Sequence, residues 1–379
     1  MILFEEKKRN RLDYCRQLEN PYDFYDSSAK PEFGVVRDRL NYWFSRYPES
    51  HQSELRERFK CTFSSAFFEL FIHQLFSNLG FQISIHPKIL NTRKKPDFLV
   101  WNKFAEFYLE VKEATDKSTE DIIKENRENS VYDFINEFSS PDFFLRIKTL
   151  EIKTHQHPLI TEIRKTLEKE LIKYEPDGMR KKLESEGLDS LPLIKIENEK
   201  ILLEIQPIPK SKSIRGKSDI RPIGAFPINV ILGGSNISIK KSIEKKADKY
   251  GTLDKPYIIA INSTSPKGTY DDDVTNAILG SLSIQYSTDP NNNDTKYVRE
   301  RNGVIMGPNG PKNQNVSAFF ITRVHSHNLH VANYWIVNHP FAKRPIDLSN
   351  FGLTYYYLDN STLKRQEGKT IKEIFQVDD

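Results

Sequence analysis

Three ionisable residues interrupt two apolar runs in KKPDFLVWNKFAEFYLEVKEAT, residues 94–115: Asp97, Glu110 and Lys112. In a strand, residues two apart share a face, so Glu110 and Lys112 project together beside Tyr108, while Phe107, Leu109 and Val111 turn into the core. A hairpin centred near residues 103–104 would bring Asp97 back opposite Glu110, at roughly the 5 Å spacing of facing strand residues. Two such carboxylates repel unless an oxygen-bound divalent cation lies between them. Mg²⁺ suits the pair, with Mn²⁺ as a substitute, because it needs few protein ligands and keeps waters and a substrate phosphate. Lys112 would then orient or deprotonate an attacking water and counter charge on a phosphorane-like transition state.

Elements must hold these groups. FSSAFFELFIHQLFSNLGF reads as a helix, with Phe67, Phe68, Phe71, Leu75 and Leu79 at helical spacing. Ser64 or Ser65 is expected to cap its start, and Gly80 to end it in the left-handed conformation. FQISIHP, PDFLVW and FAEFYLEVKEA read as three strands, with a turn at Asn102–Lys103. Glu69 stands in the middle of the helix, where a carboxylate is expensive without a partner. His73, one turn later, shares its face and is expected to support the site without binding metal directly.

Further along, FFLRIKTLEIK and KILLEIQPIP read as strands, PLITEIRKTLEKELIKY as a helix, and PKSKSIRGKSDIRP as a basic loop. ISIKKSIEKKADKYG reads as a helix ended by Gly251. KPYIIAIN is a continuous apolar strand of the kind buried on both faces. DDDVTNAILGSLSIQY reads as another helix, whose Asp271, Asp272 and Asp273 serve its N-terminus. NNND is a loop, and VSAFFITRV and VANYWIVNHP are strands.

A helical Glu, then PD, then E-V-K closing the next strand resembles the PD-(D/E)XK nuclease superfamily, over residues 64–115 and about 239–262. The resemblance implies a restriction-endonuclease-like α/β core, in which helices flank a central mixed sheet. It implies that Asp97 and Glu110 bind metal with the Val111 carbonyl, that Lys112 is the catalytic lysine, and that Glu69 supports the metal or a second ion. The activity implied is metal-dependent hydrolysis of phosphodiesters, with DNA favoured over RNA, in restriction, repair or phage defence. The alternatives are a non-cutting nucleic-acid-binding or protein-interaction module, or a nuclease subunit active only in a complex. Paired cuts in a duplex would call for a homodimer.

Other readings compete. Asp97, Glu110 and Lys112 could form a salt-bridge ladder on a solvated sheet face, and Glu69 with His73 a buried hydrogen-bonded pair. A second match, Asp142 with Glu151 and Lys153, is rejected because residues 143–153 read as one strand, which would hold the two carboxylates about 30 Å apart. His325, His327 and His330 read as surface histidines. Candidates for contact with nucleic acid are Lys94, Lys95, Lys245, Lys246, Lys249, Arg215 and Lys217.

Composition sets the outer bounds. With 37% hydrophobic and 28% charged residues, the chain of 379 can bury a core and is not broadly disordered. A net charge of +4 is only a mild bias toward polyanions. Cys15 and Cys61 suggest neither a disulfide framework nor a zinc site. No apolar run nears the ~18 residues of a membrane span, and MILFEEKKRN lacks a signal-peptide core. A cytoplasmic location is expected. The organisation expected is an N-terminal helical arm (1–60), a core split between 61–115 and 236–290, an insertion (116–235), and a strand-rich C-terminal extension (291–379).

Overall fold

The structure, a computed structural model, describes the chain apart from residues 90–92, 115–118, 155–159, 218–219, 226–233, 266–267, 287–294, 361 and 378–379. The NNND segment lies outside the described residues.

Helices α1 (Pro21–Ser27), α2 (Pro31–Ser45), α3 (Glu49–Cys61) and α4 (Phe63–Asn78) come first. Strands β1 (Gln82–Ile85), β2 (Phe98–Trp101) and β3 (Glu106–Ala114) follow. Next are α5 (Thr119–Glu137), β4 (Phe143–Ile152), α6 (Ile160–Leu171), α7 (Pro176–Glu186), β5 (Ile194–Glu197), β6 (Ile201–Pro209) and β7 (Ile223–Ala225). Then come α8 (Ser235–Ala247), β8 (Tyr257–Ser263), α9 (Asp271–Leu279), β9 (Leu282–Tyr286) and β10 (Thr295–Arg299). The chain closes with β11 (Met306–Gly307), β12 (Gly310–Pro311), β13 (Ala318–Thr322), β14 (Tyr334–Asn338), β15 (Tyr355–Asp359), β16 (Thr362–Gln366) and α10 (Ile371–Phe375).

Two compact units result: one of residues 1–6, 35–116 and 231–379, the other of residues 7–34 and 117–230. The first is α/β, with a mixed sheet in the order β1-β2-β3-β8-β13-β14-β15-β16 and helices packed on it. The central strands β3, β8 and β13 run parallel, and β1 to β3 form an antiparallel meander. Every residue of β8 is buried: the apolar run Tyr257–Ile261 requires it, and Asn262 is buried with hydrogen bonds to Val324.

On one face of this sheet lies α4, buried almost all round from Phe63 to Phe76. On the other lies α8, whose Ile239, Ile243 and Ala247 recur at helical spacing and, with Tyr250 just beyond the helix, pack with Tyr108, Ile259 and Ile261. Each of these isoleucines adds about 1.5–3 kcal/mol by leaving water. The helix expected to run to Gly251 stops instead at Ala247, with Asp248 at its C-cap, and Gly251, at φ +68°, lies in the turn beyond it.

The second unit has its own sheet, β5-β6-β4-β7, covered by α5, α6 and α7 through Val131, Ile135, Ile163, Leu167 and Met179. Strand β4 runs unbroken past Thr149 with only a bulge between Ile147 and Thr149, so Asp142 and Glu151 stand apart at its two ends.

Two further local expectations are corrected. Neither Ser64 nor Ser65 caps α4, which starts at Phe63 after Thr62. The Thr62 hydroxyl closes α3 by donating to the Arg58 carbonyl at 3.3 Å, because one helix runs straight into the next. The helix expected over residues 271–286 stops at Leu279. Gly280 has φ +103° and lies so close to the Glu300 backbone that a Cβ would sit 2.0 Å from its carbonyl oxygen. Residues 282–286 instead pair with β10. At the start of α9, Asp273 accepts from the Tyr270 amide at 3.1 Å, as expected of a capping carboxylate, while Asp271 accepts from the Trp335 indole at 2.7 Å.

Candidate functional site

The β2–β3 hairpin sets the register. Asn102 makes the turn, its side-chain oxygen accepting from the Phe104 and Ala105 amides at 2.8 and 3.0 Å. Phe98 then pairs with Leu109, so the next step along both strands sets Asp97 against Glu110. Strand β2 starts at Phe98, which leaves β3 beyond Leu109 without a strand partner on that side. The Asp97 carboxylate takes the strand's place, accepting from the Val111 amide at 2.7 Å.

Asp97 is partly buried and ringed by charge. Burial first, then the negative charges of Glu110 and, less strongly, Glu69, push its carboxyl up to about 7. The Val111 hydrogen bond and the Lys246 charge oppose the shift but do not cancel it. Its second oxygen, Oδ1, has no hydrogen bond among the described residues.

Glu110 has no exposed surface. Its charge is met by α8 and the residues just beyond it. Lys246 and Lys249 both donate to Oε1, Lys249 at 2.7 Å, and the Tyr250 hydroxyl reaches Oε2. That hydroxyl also lies 2.8 Å from the Lys95 carbonyl, so one proton serves two acceptors. Burial, then the Glu110 hydrogen bond and charge, hold the Tyr250 phenol protonated far above its ordinary range. The solvated salt-bridge ladder is thereby overturned, since α8 covers this face and Lys246, on the helix, and Lys249, just beyond it, neutralise Glu110. Lys112, half-buried in register with Ile261, makes no hydrogen bond or ion pair among the described residues.

Glu69 is 4% exposed and tied to α3 and to the turn before it. It accepts from Tyr47 at 2.7 Å and from Arg58 at 2.5 Å. Burial and then Glu69 raise the Tyr47 phenol. Burial opposes the Arg58 charge, but Glu69 outweighs it and holds the guanidinium more firmly protonated. His73 does not hydrogen-bond Glu69. Its ring packs 4.9 Å from that of Tyr47, and its Nδ1 is buried without a hydrogen-bond partner among the described residues. Burial, helped by the Arg46 charge, lowers it to about 4, so it stays neutral.

Among the described residues, no three His, Cys, Asp or Glu side chains gather as a metal-holding group. The donors that remain are Asp97 and Glu110. They fit a hard divalent cation in two respects: both offer carboxylate oxygens, and their mutual repulsion is unrelieved at Asp97. Glu110 is already engaged by three side chains, which such a cation would have to share or replace.

The basic residues divide between the units. Lys94 and Lys95 are exposed in the first, and Lys94 donates to the Lys249 carbonyl at 3.1 Å. Lys245 is exposed on α8. Arg215 and Lys217 belong to the second unit, where Asp177 engages Arg215 at 2.7 Å and Lys217 lines a cavity of about 460 Å³. His325 is half-buried, and His327 and His330 are exposed.

Tyr47, Arg58 and Tyr250 were not anticipated from sequence. For Tyr250 a signal existed: it lies four residues after Lys246 and one after Lys249, on a helix expected to flank the sheet. For Tyr47 and Arg58 there was none, since Tyr47 lies in the turn between α2 and α3, Arg58 lies in α3, and both meet Glu69 only through tertiary packing.

Among the described residues, no helix is long and apolar enough to cross a membrane. Compared with models of known protein families, with curated proteins and with solved structures, the chain has no match.

Proposed function

We propose that this chain is a metal-dependent nuclease of the PD-(D/E)XK kind, hydrolysing phosphodiester bonds in DNA. The observation that carries this reading is the grouping of Asp97, Glu110 and Lys112. Two carboxylates meet across a hairpin, and a lysine without an ion-pair partner among the described residues lies two positions on along the same strand face. The order α4, β1–β3, α8, β8 supports it as well.

In this reading Asp97 and Glu110, with the Val111 carbonyl beside them, would hold Mg²⁺ or Mn²⁺. The cation would supply positive charge at the scissile phosphate and acidify water. The Lys112 ammonium orients the attacking water and faces the charge that grows on the phosphoryl oxygens. Val111 fixes Asp97 through its amide, and Tyr250 fixes Glu110. Glu69, Arg58 and Tyr47 set the charge on the α4 side of Asp97.

A second reading, a non-cutting nucleic-acid-binding or protein-interaction module, is favoured by one observation: Lys246, Lys249 and Tyr250 already satisfy Glu110 without a metal. Incubating the protein with supercoiled plasmid and single-stranded RNA, in Mg²⁺ or Mn²⁺ against EDTA, separates the two. Cation-dependent cleavage supports the nuclease, and intact substrates under all conditions support the module.

A further inference from the structure

We infer that Lys246 and Lys249 are exchangeable counter-ions: they neutralise Glu110 in the metal-free site, and they leave it for a nucleic-acid phosphate when a divalent cation binds. This rests on the nuclease reading and adds a regulation of its site.

The charges are the first ground. Two carboxylates, Asp97 and Glu110, share this end of the sheet with two ammoniums, and Glu110 Oε1 accepts from both. The charge of Glu110 is thus met without a cation. A divalent cation at the same oxygens would put three positive centres around buried Glu110, and like charges at such range repel strongly. Cation and ammoniums therefore compete for one carboxylate.

Mobility is the second ground. The Lys246 and Lys249 side chains keep 16% and 31% of their surface, so each four-carbon stem has a route to solvent. Tyr250 does not: its ring is packed edge-on against Tyr257 at 5.8 Å within the core. It stays and orients Glu110 while the lysines move. Around them lie the exposed Lys94, Lys95 and Lys245, so the released ammoniums join a basic rim suited to a phosphate backbone.

The test compares the wild type with a Lys246→Met/Lys249→Met double variant and a Lys246→Arg/Lys249→Arg double variant. Mn²⁺ is titrated by calorimetry with no nucleic acid present. The methionine variant should bind Mn²⁺ roughly tenfold more tightly, and the arginine variant should match the wild type. In a Lys112→Ala background, Mn²⁺ should tighten duplex DNA binding when the lysines are present and not when they are methionines. If the methionine double variant does not fold, Lys249→Met alone should bind Mn²⁺ about threefold more tightly. Equal or weaker uptake by a folded methionine variant overturns the exchange and leaves the nuclease reading intact. A wild type that binds Mn²⁺ but cuts nothing sinks the nuclease reading, and tighter binding by the variant would still support the exchange. No uptake by any of the proteins overturns both.

Discussion

Asp97 stands one register step beyond the Phe98–Leu109 pair, opposite Glu110, and caps the Val111 amide at 2.7 Å. The hairpin thus brings together two acidic groups, one in contact with lysines and the other pushed up to about 7. What each neighbour contributes can be measured separately.

Lys112→Ala should lower the cleavage rate by about a hundredfold or more, the scale for removing a group that stabilises transition-state charge. The side chain is half-buried and makes no hydrogen bond among the described residues, so stability should change by less than about 1 kcal/mol. Plasmid cleavage in Mg²⁺ and a thermal melt check the two halves. A large loss of stability would argue for a structural role.

Asp97→Asn tests the electrostatics. The Asp97 carboxyl is raised from 3.8 to about 7, so between those values the native state holds more protons than the unfolded chain. Wild-type stability should therefore fall as pH rises through that window. The asparagine variant lacks this slope. Without metal it should be more stable than wild type above pH 7 by about 4 kcal/mol, and the gap should close toward pH 4. Urea titrations across that range give the answer, and a pH-independent gap would contradict it.

Arg58→Met would strand Glu69 as a buried charge, destabilising the protein by about 3 kcal/mol. Tyr47→Phe removes a single hydrogen bond to the same carboxylate and should cost about 1–2 kcal/mol. Chemical denaturation of both variants, with the double variant to expose coupling, measures these values.

Glu151→Gln should leave cleavage unaltered. Glu151 belongs to the second acidic match, and β4 holds it at the opposite end from Asp142. The same plasmid assay decides, and a hundredfold loss would reopen that site.

Where periodicity is strong, the fold is legible in the sequence. The α4 stripe, the β2–β3 hairpin and the apolar run of β8 each follow from short-range pattern, and the facing of Asp97 with Glu110 follows from the hairpin alone. The expected helix over residues 271–286 fails at Gly280, because the close Glu300 backbone, distant in sequence, makes this glycine a break. The partners of the carboxylates were less legible. Lys246 and Lys249 read as candidates for contact with nucleic acid, and only packing of α8 on the sheet turns them onto Glu110. Helices α5 and α7 were missed because their apolar positions answer to β4 and β6 rather than to a strong pattern of their own.

Glu110 and Lys246 are 136 residues apart, with the whole of residues 117–230 between them. During synthesis the ribosome therefore delivers β3 well before α8, β8 and β13. For that interval the nascent meander has an acidic side chain without its ammonium partners and an open strand edge where β8 will dock. The second unit is complete in sequence before the first can close. A stall or truncation near residue 230 should release a chain with one finished sheet and one unpaired, aggregation-prone half.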